Sequence, residues 1–233
     1  MATLPPLASV MHMLDKNMQV QCILGNNSDP HHMSISPQQF EAIKKTLVLR
    51  TTEDKYWKFL RPKSAFYFWR DDPHAWLHPE KVHKVLPEVA AYFKQEKILF
   101  QGDVIAAQER VLKIQKQLAQ ALDPLKTKGV IMQHGAWLSV FEAYGVPVRL
   151  VLEKGNHHGK RASPKRLQTA LDLIDLHPDM LLIGDKQHDT DALQWLKSKR
   201  PQSPLLILDT LGDCQQTWDA LMQENISLIK GSL

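Results

Sequence analysis

Cysteine is scarce in this 233-residue chain, which carries only Cys22 and Cys214, near opposite ends. Two thiols exclude a multi-bridge disulfide framework and a four-cysteine zinc site, since both need more sulfur. Of the two states left, two buried, strand-associated free thiols are the more frequent outcome and a single bridge the less frequent. Long apolar runs are missing too. Every hydrophobic stretch is broken by a charge, a proline or a polar cluster well before the roughly 20 residues that cross a bilayer, which excludes an integral helical membrane protein. The opening Met1-Ala2-Thr3-Leu4-Pro5-Pro6 has no basic region, apolar core or small-residue cleavage site of a secretory leader. A cytosolic start and the mature start of an exported protein both fit. No internal repeat or low-complexity tract occurs, which sets solenoids aside.

What is present is ordinary in bulk: 43% hydrophobic residues, enough for a sizeable core, and a formal charge of +4 from 29 basic and 25 acidic groups. The most basic stretch, Gly155 to Arg166, does not interleave aromatic with basic residues and reads as an exposed loop, so no nucleic-acid partner is expected.

Short β-rich runs alternate with longer helical patterns, the signature of parallel sheets with helical crossovers. The expected strands are Val20–Leu24, Thr46–Arg50, Ala65–Trp69, Gly129–Gln133, Pro147–Leu152, Met180–Gly184 and Pro204–Asp209. Three precede residue 70 and four follow residue 128, which predicts an α/β protein of two lobes, each a small, mostly parallel sheet flanked by helices. The lobes are expected at 1–102 and 127–233, with a linker helix within 103–126. From Asp103 to Leu122 there is no Gly or Pro, and Val104, Ala107, Val111, Ile114, Leu118 and Ala121 recur at steps of three and four. Asp103 is the expected N-cap of this helix, and Asp123-Pro124 its stop.

Eleven histidines are many for this length. In open α/β sheets, ligands bind beyond the carboxyl ends of strands. His31 follows the first expected strand, His74 comes shortly after the third, and His134 and Asp185 directly follow the fourth and sixth. Three imidazoles and one carboxylate fill the tetrahedral shell of Zn²⁺, and an imidazole majority fits zinc better than manganese, calcium or magnesium. A lone histidine after a strand is more often a loop hydrogen-bonder than a ligand. The four become one site only if the lobes face each other, which spacing does not show. Of the adjacent His31 and His32, Pro30 favours His31. Pro79 is best placed at the first position of a helix, which leaves His74 in the preceding loop and His78 as N-cap or supporting group. His157, His158 and His188 read as solvated loop residues more readily than as an accessory site.

At these same residues the chain resembles the zinc-binding solute-binding proteins of ABC transporters, metal receptors whose two lobes are joined by a long helix. SDPHHMSISP resembles the family's Asp-Pro-His loop, DPHAWLHPEKV its segment carrying His74, QHGAWLSVFEAYG its segment carrying His134, and LLIGDKQ the strand end that supplies Asp185. The sequence departs from the family pattern in carrying His78 for an Asp, Arg161-Ala162 for Glu-Pro and Lys186 for a Pro. Related manganese receptors carry Glu at the position of His134. The resemblance implies a monomeric periplasmic or extracytoplasmic receptor that captures Zn²⁺ in the inter-lobe cleft, through His31, His74, His134 and Asp185, and delivers it to a membrane permease. It implies no enzymatic activity. The rivals are a zinc hydrolase, which would want a general base that no HExxH motif supplies, and a metal-binding accessory protein not coupled to a permease.

Overall fold

The computed structural model describes residues 1–25, 35–51, 62–70, 72–153 and 162–232. They divide into two compact units, Met1–Gln115 with Leu211–Gln223 and Lys116–Thr210 with Glu224–Leu233. No helix among the described residues is long and apolar enough to cross a membrane.

The first unit begins with helix α1 (Pro5–Leu14), whose prolines sit in the first turn, where a missing N–H leaves no carbonyl unpaired. Helix α2 (Pro37–Ile43) starts on a reciprocal cap in which the Ser36 hydroxyl accepts from the Gln39 N–H and the Gln39 side chain accepts from the Ser36 N–H. Strands β1 (Leu47–Arg50) and β2 (Ser64–Tyr67) pair in parallel. Val20–Leu24, expected as a strand, is reduced to an isolated bridge: Ala2 pairs with Cys22 on one side and Leu49 on the other. The cause is the brevity of the neighbour. Ala2 donates to the Gln21 carbonyl at 2.8 Å and accepts from Ile23 at 2.9 Å, but the chain enters α1 at Pro5, too soon for a ladder. Ile23, Ile43 and Val48 form a buried cluster beneath this layer.

The two cysteines are bonded to each other across 192 residues, with Cα atoms 5.8 Å apart. This corrects the expectation of free thiols. The segment Leu211–Gln223 belongs to the first unit and carries Cys214 back to Cys22 at a spacing suited to a bridge, a long-range pairing that local sequence cannot reveal. Helix α3 (Pro79–Gln95) has His78 as N-cap and Pro79 in its first turn, as expected. Helix α4 (Val104–Leu122) realises the long amphipathic pattern: the Asp103 carboxylate accepts from the Ala106 N–H at 3.0 Å, and Ala107, Val111, Ile114, Leu118 and Ala121 are buried.

The second unit continues with α5 (Leu125–Lys128), β3 (Val130–Met132), α6 (Leu138–Ala143), β4 (Val148–Val151), α7 (Pro164–Leu176), β5 (Leu181–Asp185), α8 (Asp191–Lys199), β6 (Leu205–Leu208) and α9 (Trp218–Gly231), the last entering it at Glu224. Its sheet is ordered β4-β3-β5-β6 with every pairing parallel. Ile131, Leu152, Ala170, Ile174, Leu182, Leu193 and Leu196 form its buried core. Truncating one such leucine to alanine costs about 2–5 kcal/mol.

Candidate metal centre

In the second unit the direction of strand progression reverses between β3 and β5, the switch point at which open parallel sheets hold ligands beyond their carboxyl ends. The register pairs Met132 with Ile183, and the Gln133 N–H donates to the Ile183 carbonyl at 2.9 Å. Two residues further on, His134 and Asp185 leave the sheet side by side. His134 Nδ1 lies 3.7 Å from Asp185 Oδ2.

His188 joins them. Its Nδ1 is 3.5 Å from the same carboxylate oxygen, and its ring stacks on that of His134 with centroids 4.3 Å apart and planes inclined by 27°. One donor atom from each of His134, Asp185 and His188 falls within 4.8 Å of the others, a grouping able to hold a metal ion. This corrects the reading of His188 as a solvated loop residue, since its side chain is only 14% exposed. The signal that could have found it is the spacing of three from Asp185, which a tight turn folds onto the strand end: the His188 N–H donates to the Asp185 carbonyl at 3.0 Å.

The Asp185 side chain is 5% exposed, so burial opposes its ionisation. The approach of His134 and His188 and the Thr210 hydroxyl, which donates to Oδ2 at 2.7 Å, outweigh burial and hold the carboxyl well below its usual range. Thr210 in turn accepts from the Trp137 indole N–H at 3.2 Å. The turn carrying His188 is fixed on several sides. Gln133 donates from its amide to the Asp189 carbonyl and, at 3.1 Å, to Glu153. Gln187 donates to Asp209 at 2.7 Å, Lys186 pairs with Asp209 at 2.9 Å, and Asn225 donates to and accepts from the Asp209 backbone. Asp209 is thus a buried carboxylate that sequence reasoning missed, and its oxygens are taken by neighbours from the same turn.

In the first unit, His74 begins a short 3-10 turn over Ala75–Leu77, and its N–H donates to Asp72 Oδ1 at 2.9 Å. Asp72 Oδ2 pairs with Lys81 at 3.0 Å and lies 3.6 Å from His78 Nε2. The His74 ring meets Trp76 edge-on at 5.6 Å, and the Trp76 carbonyl accepts from the Trp218 indole at 2.6 Å. His78 takes the N-cap position of α3, one of the two places expected of it, with its ring 3.6 Å from Asp72. His31 and His32, together with His157 and His158, lie outside the described residues.

Two imidazoles and an ionised carboxylate make a mixed nitrogen and oxygen donor set that suits zinc and other later divalent metals. No curated protein matches the chain. Among solved structures, the laminin-binding protein Lmb of Streptococcus agalactiae, described as having adhesin and metal-transporting activity, is similar at a TM-score of 0.81 and 14% identity, over 99% of this chain and 97% of that one. The Zn(II)-bound ZnuA-like domain of AdcA from Streptococcus pneumoniae gives 0.74 and 18%, over 99% and 97%. A point mutant of a Mn-bound periplasmic metal-binding protein from Candidatus Liberibacter asiaticus gives 0.72 and 14%, over 100% and 98%. At such identities these likenesses speak for the fold. The sequence itself matches the family described as ZnuA, zinc-uptake complex component A, periplasmic, over residues 48–232. With that match covering well over half its length, the chain belongs to the ZnuA family of zinc-binding solute-binding proteins of ABC transporters.

Proposed function

We propose that the protein captures Zn²⁺ outside the cytoplasmic membrane through His31, His74, His134 and Asp185 and delivers it to the permease of an ABC transporter. Family membership makes it a metal-binding receptor of the ABC-transport class, one that holds and releases its cargo rather than transforming it. The observation that carries the proposal is the convergence of His134 on Asp185, a buried carboxylate held ionised at the switch point of the second sheet. An ionised oxygen beside an imidazole is half a zinc shell prepared before the ion arrives, so binding does not carry the full cost of assembling it.

The choice of zinc rests on ligand chemistry. Solved relatives of this fold hold Zn(II) in one case and Mn in another. An imidazole at position 134 favours the softer ion, because manganese prefers oxygen-rich shells. The test is calorimetry on chelator-stripped protein. One tight zinc site, on the order of nanomolar or better, with manganese at least about 100-fold weaker, is expected. Equal affinity for the two ions, or weak zinc binding spread over several sites, would overturn the reading.

A further inference from the structure

We infer that His188 is a direct metal ligand, so that the second unit by itself presents two imidazoles and a carboxylate to the ion. The inference rests on the proposed zinc-receptor reading and assigns a ligand beyond its set of four.

The argument is geometric. Around a tetrahedral zinc with bonds of about 2.0–2.2 Å, neighbouring ligand atoms stand about 3.3–3.6 Å apart. The Nδ1 atoms of His188 and His134 stand 3.5 and 3.7 Å from Asp185 Oδ2. Those separations exceed the 2.7–3.2 Å of an N–H···O hydrogen bond. The first falls within the edge range of a coordination tetrahedron and the second lies just above it. A histidine that only oriented Asp185 would sit closer, donating to it, and Thr210 already fills that part at 2.7 Å. The stacked rings set two imidazoles on the same side of the carboxylate, in an arrangement that brings three donor atoms within 4.8 Å.

The backbone favours a ligand over a passing loop residue. His188 sits one residue before the Asp189 carbonyl held by Gln133, and its own N–H is tied to the Asp185 carbonyl at 3.0 Å. Gln187 is held to Asp209 at 2.7 Å and accepts from the Thr210 N–H at 3.2 Å. Such fixing is how a fold keeps a ligand in place before the ion binds.

The experiment uses the full chain with cobalt(II) as a spectroscopic stand-in for zinc. Because Cys22 and Cys214 are bonded to each other, a thiol introduced as His188→Cys is the only free one. If His188 ligates, the cobalt-loaded variant shows a near-ultraviolet sulfur-to-cobalt charge-transfer band, as His134→Cys should in parallel. A band in His134→Cys but not in His188→Cys overturns the inference and leaves the zinc-receptor reading standing. A band in neither overturns both. As an independent variant, His188→Gln, with its far-ultraviolet circular dichroism unchanged, should lose more than about 100-fold in zinc affinity, beyond the 10–100-fold cost of a supporting residue. A loss within or below that range makes His188 a supporting residue and overturns the inference.

Discussion

Each unit places a buried or half-buried aspartate beside histidines, and the two arrangements differ in what answers the carboxylate. Asp72 faces the Lys81 ammonium at 3.0 Å and the His74 backbone, with His78 further off. Asp185 faces two imidazoles and a hydroxyl. Both carboxyls are held below their ordinary range, against burial that pushes the other way. A lysine partner carries a fixed charge and satisfies the carboxylate for good, so the Asp72 group acts as a brace that shapes the loop of His74. An imidazole nitrogen is itself a metal donor, so the groups that answer Asp185 leave it available for an ion.

The largest effects should fall on the second unit. His134→Ala and Asp185→Asn are each expected to weaken zinc by more than about 100-fold, whereas His74→Ala, which leaves the three clustered donors of the second unit intact, should cost less. Calorimetry on the three variants decides it, and equal losses in all three would erase the asymmetry. By linkage, a 100-fold weaker site forfeits up to about 2.7 kcal/mol of zinc-dependent stabilisation, readable as a smaller rise in melting temperature on adding zinc.

Next in size is the bridge between Cys22 and Cys214, both in the first unit. Replacing Cys214 with serine frees a very long loop in the unfolded chain and should cost about 2–5 kcal/mol. Denaturant unfolding measures that loss. Zinc affinity in the folded variant should stay within a few-fold of the parent, since the bridge lies in the first unit and the clustered donors His134, Asp185 and His188 lie in the second. An unchanged midpoint would mean that the bridge constrains little.

A third prediction concerns Lys81→Met, which removes the ammonium from Asp72 while keeping the length of the side chain. The carboxylate loses its charged partner, so the Asp72 pKa should rise toward the ordinary value under the pull of burial, with the His74 N–H still holding it down. A titration of the Asp72 carboxyl by nuclear magnetic resonance reads this, and an unmoved titration would show that Lys81 does not hold the brace.

The smallest effect comes from His78. Burial lowers its pKa, with Asp72 opposing, Lys81 adding and Glu80 opposing, and the net direction is below the ordinary 6.5. A histidine that protonates more readily when unfolded favours folding above that value, and its contribution is lost as pH falls below it. Metal-free protein should therefore melt at lower temperature at pH 5.5 than at pH 7.5, and His78→Gln should flatten the slope. An identical slope in the variant would assign the dependence to other groups.

Much of the architecture was legible because it is written in local periodicity. The helix from Val104 to Leu122, the start of α3 at Pro79 and six of the seven strands follow from spacing, capping residues and short apolar runs. The seventh failed because a strand's existence depends on its neighbour: Val20–Leu24 has the right residues but meets a partner that runs only through Ala2 and Thr3 before α1 begins. The pairing of Cys22 with Cys214 depends on a return of the chain across 192 residues, for which no local signal exists. His134 and Asp185 could be placed at strand exits, whereas the neighbourhood of β3 and β5, and with it the 3.7 Å approach of the two side chains, required the strand order. His188 was hidden by a turn. Its distance from Asp185 in sequence is short, but only the hydrogen bonds holding that turn decide that it folds back rather than out to solvent.

The indole of Trp137 is two hydrogen bonds from the carboxylate at the strand exit, through the hydroxyl of Thr210. Indole emission responds to the charge and polarity at its N–H, so an ion that draws on Asp185 also alters the far end of this relay. Under the zinc-receptor reading, Trp137 is expected to act as an optical gauge of occupancy, a fluorophore wired to the site from behind, where it does not compete for the cargo.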